Sequence, residues 1–218
     1  MQNAWREGNQ FTLLPEASRF LPAMFEAVHA AQHYILVELY LMESGELAEQ
    51  VSDALINAAQ RGVDVCLLLD GYGSMGLASE ERQRLRQGGV KLRFFNPIGF
   101  HSLALNLSRD HRKIVVIDGE LAFTGGFGAV DEFLNAWYEI ALRIDGPVVA
   151  DWEQLFRRLW SSRLTRAEKG DDSAGTLPAR RDPRLHANGL PGRAMSARGY
   201  RYQAIRHSLH DRVNRAET

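Results

Sequence analysis

Two kinds of hydrophobic pattern alternate along the first 160 residues of the chain. Short runs of consecutive apolar residues, bounded by turn-forming residues, are typical of buried strands. They occur at residues 11–14, 34–42, 63–69, 90–95, 113–117, 121–124 and 139–144. Between them, apolar residues recur every three or four positions, which predicts helices over residues 20–28, 47–58 and 148–159 and a short charged helix from Ser79. The alternation predicts an α/β domain in which helices flank a mixed, mostly parallel sheet.

The pattern changes after residue 160. Residues 161–195 are rich in Gly, Pro, Arg, Asp and Ala without periodicity, which predicts a flexible linker. Over residues 196–218 apolar side chains return at helical spacing, at Tyr202, Ile205, Leu209 and Val213. Because so short a helix has nothing of its own to pack on, we interpret it as an isolated C-terminal helix that begins a truncated second half. The predicted organisation is a domain at 1–160, a linker at 161–195 and this truncated unit.

The composition is that of a folded protein. Of the 218 residues, 45% are hydrophobic and 24% are charged, which excludes wholesale disorder. The single cysteine, Cys66, excludes a disulfide within the chain and favours a reducing compartment. The first ten residues lack the pattern of a secretory signal, and the most apolar run, 34–42, is too short to span a bilayer. We therefore expect neither a signal peptide nor a transmembrane helix.

The formal net charge of −1 conceals an asymmetry. Residues 1–160 carry 14 basic and 21 acidic side chains, a net charge of −7, whereas residues 161–218 carry 12 and 6, a net charge of +6. Such a split is typical of a folded body followed by a segment of different character. The arginines of the basic part suit anionic lipid headgroups and nucleic-acid phosphates equally well.

Chemically active side chains are concentrated in the segment 109–119. His111 and Lys113 are two positions apart on a predicted strand, so both project to the same face, and Asp118 follows the end of that strand. Composition alone predicts about 0.005 matches to this His-x-Lys-x4-Asp spacing. An imidazole beside an ammonium forms a site where a phosphate is held and attacked. The structural alternative is a surface ion pair between Lys113 and Asp118, with His111 at a strand end.

The segment resembles the signature of the phospholipase D superfamily, in which His-x-Lys-x4-Asp is followed, after six further residues, by Gly-Gly or Gly-Ser. Here Gly125 and Gly126 stand at that distance from Asp118. Other positions, including Trp137 and residues 146–148, are most similar to the bacterial cardiolipin synthase branch, and the similarity extends from residue 8 to residue 160. The resemblance implies a phospholipase D-like fold and phosphatidyl transfer through a phosphohistidine, without a metal or another cofactor.

The resemblance also implies a role for each residue of the motif. His111 is the nucleophile or the proton donor, and Lys113 binds the phosphoryl oxygens and stabilises the charge of the transition state. Asp118 has a structural or electrostatic role beside the pair. Gly125 and Gly126 let the backbone approach closely, so that their N–H groups contact a phosphate.

Three further positions bear on activity. The family orients its imidazole with a downstream carboxylate, and Glu139, at the start of a predicted strand, is the candidate; the alternative is an ordinary glutamate at a strand edge. Gly128 stands where the family commonly has asparagine, so a side-chain hydrogen bond near the site is missing. Glu38 lies inside an apolar strand and needs a partner if it is buried.

The superfamily site needs two such motifs, and the 218 residues contain one. The leading hypothesis is a cardiolipin synthase-like phosphatidyltransferase, represented by its N-terminal half, that acts on phosphatidylglycerol or a similar phospholipid as a peripheral protein on the cytoplasmic side of the cell membrane. The second is a phosphodiesterase or nuclease that completes its site by pairing two copies of the chain. The third is an inactive half-enzyme whose second half is supplied separately.

Overall fold

One sheet organises the part of the chain described by this computed structural model, which comprises residues 4–98, 108–168 and 175–194. Within these ranges nine strands build it: β1 (Arg6–Pro15), β2 (Tyr34–Leu39), β3 (Asp64–Asp70), β4 (Lys91–Phe95), β5 (Ile114–Ile117), β6 (Leu121–Gly125), β7 (Ile140–Asp145), β8 (Thr165–Arg166) and β9 (Leu190–Gly192). The helices are α1 (Ala17–Ala30), α2 (Glu46–Gln60), α3 (Ser79–Gln87), α4 (Glu132–Asn135) and α5 (Val149–Trp160). The helix predicted at 196–218 lies outside the described residues.

The strand order is β8-β4-β3-β2-β5-β6-β7-β1-β9. β2 pairs in parallel with β3, and β3 with β4, whereas the other six pairings between these strands are antiparallel. The mixed sheet flanked by helices confirms the predicted fold class, but the expectation of a mostly parallel sheet is wrong. The reason is that strands buried on both faces show the same apolar run in either direction, and β5 turns back into β6 through a hairpin at residues 118–120.

The sheet separates two hydrophobic cores. Alternate residues of β2 face opposite sides: Ile35 and Val37 enter the core beneath α1 and α2, and Tyr34 and Leu36 enter the core beneath α5. All six residues of β2 and all four of β5 are buried. These two neighbouring strands therefore form a rigid centre, and side chains that follow their ends are held at fixed places on the sheet edge.

Parts of the segment 161–195 complete the two edges of the sheet. β8 pairs with β4, and β9 pairs with β1. The Lys91 ammonium donates to the carbonyl oxygen of Thr176 at 3.0 Å, and the backbone N–H of Arg181 donates to the Tyr34 hydroxyl oxygen at 3.4 Å. The described residues of this segment therefore contact the body of the fold. Because backbone groups of the segment make these contacts, they leave no periodic signal in the sequence. The division of the chain into domains stays a prediction.

Candidate active site

Several strand ends and strand starts meet at a single edge of the sheet. The parallel strands β2, β3 and β4 end there, and the antiparallel β5 begins there. Asp70, the last residue of β3, is buried, and its carboxylate accepts the backbone N–H groups of Asp110 at 2.8 Å, Tyr72 at 2.9 Å and Gly73 at 3.1 Å. This carboxylate therefore fixes the loop after β3 against the segment that leads into β5.

His111 lies at this edge, just before β5, with an exposed side chain. Its imidazole stacks on the ring of Tyr40, which follows β2, with 4.0 Å between the ring centroids and 20° between the ring planes. Burial raises the pKa of the Tyr40 hydroxyl, and the Asp70 carboxylate raises it further, so the phenol stays neutral at physiological pH. Because the two rings meet face to face, both imidazole nitrogens remain at the perimeter and are available to other partners.

Lys113 lies next to His111, but β5 begins at Ile114, so both residues precede the strand on which they were expected. Its ammonium donates to the backbone carbonyl oxygen of His111 at 2.9 Å and lies 5.5 Å from the centre of the Tyr40 ring. Burial lowers the pKa of Lys113, against the opposing influence of the Asp110 and Glu139 carboxylates. The structure thus brings together an imidazole, an ammonium and an aromatic ring, an arrangement that can hold an anion and present a nucleophile to it.

Arg112 anchors the segment that carries this pair. Its Nε lies 2.7 Å from Oε1 of Glu38 and 3.0 Å from Oδ1 of Asp110. Glu38 is fully buried in β2, so the guanidinium is the partner that a charged group in an apolar strand needs. Because this ion pair ties the segment to the central strand, the backbone on either side of Arg112 has little freedom to shift.

Gly125 ends β6, and Gly126 follows it at the same edge of the sheet. A Cβ on Gly125 would lie 2.4 Å from the carbonyl oxygen of Ile140, and a Cβ on Gly126 would lie 1.9 Å from Oε2 of Glu139. Position 125 therefore requires glycine, because the obstructing atoms belong to the backbone, whereas at Gly126 the obstructing group is the end of the Glu139 side chain, whose carboxylate lies directly against the Gly126 backbone. In the described part of the chain Glu139 does not hydrogen-bond His111, and its orienting role stays a prediction, as does phosphate binding by the two glycines.

Asp118 lies at the opposite end of β5. Its carboxylate accepts the backbone N–H groups of Gln32 at 2.9 Å, His33 at 2.8 Å and Tyr34 at 2.9 Å, and its own φ is 52°. The expected location of Asp118 beside the histidine–lysine pair is wrong, because the length of β5 separates them. The expected structural role stays a prediction, which the three hydrogen bonds support because they fasten the start of β2 to the β5–β6 turn. The same separation excludes the alternative of a surface ion pair between Asp118 and Lys113.

Gly128, where the family commonly has asparagine, packs closely on its neighbours. An added Cβ would lie 3.0 Å from the carbonyl oxygen of Leu41 and 3.1 Å from a ring carbon of Phe133. The N–H of Ala129 donates to the same Leu41 oxygen at 3.0 Å. A larger side chain at position 128 would push apart the loops that follow β2 and β6, so the glycine allows these loops to close on each other.

Tyr40 and Asp70 are the site residues that the sequence motif does not reveal. Tyr40 falls inside the apolar run at 34–42, where periodicity gives it no signal. Asp70 ends the run at 63–69 and has the appearance of an ordinary turn residue. Both lie at the carboxyl ends of parallel strands, where functional groups of α/β sheets gather, and that topological rule is the signal that points to them.

Large apolar side chains are exposed around the same edge. Tyr72, Met75 and Ile98 lie in the loops after β3 and β4, and Trp137 and Tyr138 precede β7; each is at least 47% exposed. Exposed aromatic and aliphatic groups of this kind are a feature of surfaces that contact other molecules, and Trp5, Leu13, Leu185 and Leu190 are exposed as well. Among the described residues, none of the helices has the length and apolar character required to cross a membrane.

Comparison with known proteins identifies relatives of this chain. A family profile described as "Cardiolipin synthase, PLD-like domain" matches residues 24–160. Over 158 residues the chain is 42% identical to cardiolipin synthase B of Salmonella typhimurium and 38% identical to cardiolipin synthase B of Escherichia coli K12. Each alignment covers 69% of this chain and 38% of the relative. The chain thus spans well under half the length of the curated relatives it matches.

A solved structure has the same fold. Nuc from Salmonella typhimurium, described as a phospholipase D family member, superimposes with a TM-score of 0.60 at 20% sequence identity. The superposition covers 72% of this chain and 97% of that chain. At this level of identity the likeness concerns the fold, and it confirms the phospholipase D-like architecture that the motif implies.

Proposed function

Because the chain belongs to the family of cardiolipin synthase, phospholipase D-like domains, we propose that it is one catalytic half of a phosphatidyltransferase. The donor is phosphatidylglycerol or a similar phospholipid, and the acceptor is the alcohol of a second lipid. The observation that carries the proposal is the exposed His111 imidazole beside the Lys113 ammonium at one edge of a rigid sheet. Transfer to water from the same intermediate gives phospholipase D hydrolysis.

The proposed reaction proceeds by two displacements at phosphorus. A neutral imidazole nitrogen of His111 attacks the donor phosphorus; a P–N bond forms and the P–O bond to the leaving glycerol breaks. A second histidine, from a second half, gives its proton to the leaving alcohol. The acceptor hydroxyl then returns a proton to that histidine and attacks phosphorus, which breaks the P–N bond and frees His111. Lys113 stabilises the negative charge on the non-bridging oxygens.

The groups around the pair receive supporting roles in this proposal. Gly125 and Gly126 contact the phosphate through their N–H groups, since the absence of side chains lets a phosphate approach the backbone. Glu139 lies against Gly126 and affects the pKa of Lys113, and it orients the His111 imidazole once substrate and second half are in place. The second half is either another part of a longer polypeptide, as the greater length of the relatives suggests, or a second copy of the chain.

We further propose that the edge carrying the site contacts the cytoplasmic surface of the cell membrane. The exposed side chains around the site support this, because aromatic and apolar groups enter the interfacial region of a bilayer while the body of the domain stays outside. The buried free thiol of Cys66 suits a reducing compartment. Contact of this kind brings a lipid phosphodiester to His111 without a membrane-spanning segment.

A second candidate function rests on the single motif in these 218 residues. Two copies related by a two-fold axis would place two His111 rings in one site and form a phosphodiesterase that accepts nucleic acid. Sedimentation and activity measurements separate the candidates. A stable dimer that cleaves nucleic acid favours this second function, whereas a monomer that transfers phosphatidyl groups only with a separately supplied second half favours the transferase.

Trapping of the covalent intermediate tests the leading proposal. The protein and a separately supplied second half, which is resolved from it on a gel, are mixed with vesicles of phosphatidylglycerol radiolabelled at phosphorus and quenched in alkali, which preserves phosphohistidine. We expect label on the wild-type protein and on His33→Ala, whose exposed histidine lies at the opposite sheet edge, and none on His111→Ala. Lys113→Met lowers the labelling rate by about 100-fold or more, because it removes a charge that stabilises the transition state. Label that persists in His111→Ala would overturn the role of His111.

A further inference from the structure

One side chain contacts both members of the histidine–lysine pair and has no role in the mechanism above. The ring of Tyr40 lies over the His111 imidazole, with 4.0 Å between centroids and 20° between planes. The Nζ atom of Lys113 lies 5.5 Å from the centre of the same ring. The two nearly parallel rings are in close stacking contact, and the separation of Lys113 Nζ from the ring centre falls in the range of cation–π attraction. The Tyr40 ring therefore lies against both the His111 imidazole and the Lys113 ammonium.

The backbone around Tyr40 is held from two sides. Gly73 packs so closely on the Tyr40 carbonyl group that an added Cβ would lie 2.1 Å from its oxygen. The N–H of Met42 donates to the carbonyl oxygen of Gly73 at 3.3 Å, and the N–H of Ala129 donates to the carbonyl oxygen of Leu41 at 3.0 Å. The loops after β3 and β6 thus fix the direction in which the Tyr40 ring leaves β2.

The ring, not the hydroxyl, is the useful part of this side chain. Burial and the Asp70 carboxylate raise the pKa of Tyr40, so the phenol stays protonated near neutral pH. Face-to-face stacking restricts rotation of the exposed His111 imidazole while it leaves both nitrogens at the ring edge. A hydrogen-bonding partner in the same place would instead occupy one of the nitrogens.

We propose that Tyr40 is a positioning residue whose ring holds the His111 imidazole in the orientation in which a ring nitrogen faces phosphorus. The inference rests on the proposed role of His111 as nucleophile. A nucleophile held in attack geometry reacts faster, and a displacement of about 1 Å lowers the rate by about 100-fold. Phenylalanine at position 40 preserves this effect, and leucine does not.

Nuclear magnetic resonance tests the stack without relying on activity. In the wild-type protein we expect Overhauser contacts between the rings of Tyr40 and His111, with the imidazole signals assigned by their loss in His111→Ala. The ring current of Tyr40 shifts these signals upfield; the shift persists in Tyr40→Phe and is lost in Tyr40→Leu. Unchanged signals of His29 and His33, away from the site, report that each variant is folded. Absence of the Overhauser contacts, or equal imidazole shifts in all three proteins, overturns the proposal.

Steady-state kinetics separates positioning from a merely structural role. With bis(p-nitrophenyl) phosphate as a soluble phosphodiester probe, Tyr40→Leu lowers kcat by about 10- to 100-fold with little change in KM, whereas Tyr40→Phe keeps most of kcat. A loss confined to KM, or an equal loss in both variants, contradicts positioning through the ring. If the wild-type protein shows the Overhauser contacts but no turnover, with or without a second half, the proposed function fails and the positioning role fails with it, while the stack itself stands.

Discussion

The two ends of β5 carry the two parts of one sequence motif, and their surroundings differ in kind. At the amino end, His111 is exposed, and Lys113 is buried enough for its pKa to be lowered. At the carboxyl end, the Asp118 carboxylate accepts three backbone N–H groups at 2.8 to 2.9 Å. The first end leaves the His111 imidazole exposed at the surface, whereas the second satisfies its charged group within the protein.

This difference shows how a short motif can combine two purposes. Groups that bind and transform a substrate must stay accessible and incompletely paired, and this lowers stability. Groups that hold the backbone are fully paired, and this raises stability. Because all four residues of β5 are buried in the sheet, its two ends form one rigid unit. The spacing between His111 and Asp118 therefore reflects the length of a strand rather than a contact between the two side chains.

The largest change in stability is expected at the anchor behind the reactive end. Arg112→Met removes the cation that faces the fully buried Glu38 carboxylate at 2.7 Å. Removal of one member of a buried ion pair lowers the free energy of unfolding by about 3–5 kcal/mol. Urea unfolding of Arg112→Met and the wild-type protein measures the difference, provided that both transitions have the same denaturant slope.

A double-mutant cycle provides the control for this ion pair. The variant Glu38→Met/Arg112→Met replaces both charges by apolar groups of similar length, and we expect it to recover most of the stability that Arg112→Met loses. If the stability losses of the single variants Glu38→Met and Arg112→Met simply add in the double variant, the two side chains do not interact. The segment before β5 is then held in place by other contacts.

A smaller loss of stability is expected at the structural end of β5. Asp118→Ala removes an acceptor for three backbone N–H groups and places alanine at a φ of 52°, so the free energy of unfolding falls by about 2–3 kcal/mol. Asp118→Asn loses less, because asparagine tolerates a positive φ and keeps one oxygen acceptor. Urea unfolding measures both losses. Phosphohistidine labelling per folded molecule stays near the wild-type level in both variants.

Glu120→Gln, in the same hairpin turn, is the matched control. It removes an exposed ion pair with Arg184 at 3.2 Å, and such pairs contribute about 0–1 kcal/mol. If Glu120→Gln destabilises the protein as much as Asp118→Ala, the effect belongs to the charge of the turn rather than to the three backbone hydrogen bonds. Loss of labelling in folded Asp118→Asn would show that the carboxylate acts on the distant pair.

The local elements around the site follow from the hydrophobic pattern, because strand and helix periodicities are properties of neighbouring residues. The runs at 34–42 and 63–69 predict β2 and β3, and the stripe at 47–58 predicts α2. His111 and Lys113 are predictable as a pair for the same reason, since residues two apart near one strand share a face. β1 extends well before the run at 11–14, because its first residues pair at an edge through backbone groups that leave no apolar pattern.

Contacts between distant segments are the part that the sequence does not predict. Asp131, in the loop after β6, accepts the N–H groups of Glu46 and Leu47 at the start of α2, and no local pattern links these positions. The stacking of Tyr40 on His111 likewise joins the ends of two strands whose pairing direction the pattern does not specify. Glu38 is only partly predictable from the sequence. Its position in an apolar run shows that it needs a partner but does not show which residue supplies that partner.

Substitution of Lys113 is expected to cause the smallest change in stability and gives the most direct contrast with substitution of Asp118. Burial lowers the pKa of Lys113, so between the pKa in the folded protein and the ordinary lysine value the unfolded chain binds more protons than the folded protein does. Stability therefore rises with pH across that window. Below the window, the charged and partly desolvated Lys113 destabilises the fold.

Lys113→Met removes this desolvation cost. We expect Lys113→Met to be more stable than the wild-type protein at neutral pH, with a gain smaller than the loss caused by Asp118→Ala. This gain shrinks as the pH rises toward the ordinary lysine pKa. Phosphohistidine labelling falls in the same variant. Urea unfolding at a series of pH values measures this, and Lys91→Met, which removes an ion pair with Asp64 at 2.7 Å, is the control that loses stability. If Lys113→Met is instead less stable than the wild-type protein at neutral pH, both ends of β5 serve stability, and the division of purposes within the motif is wrong.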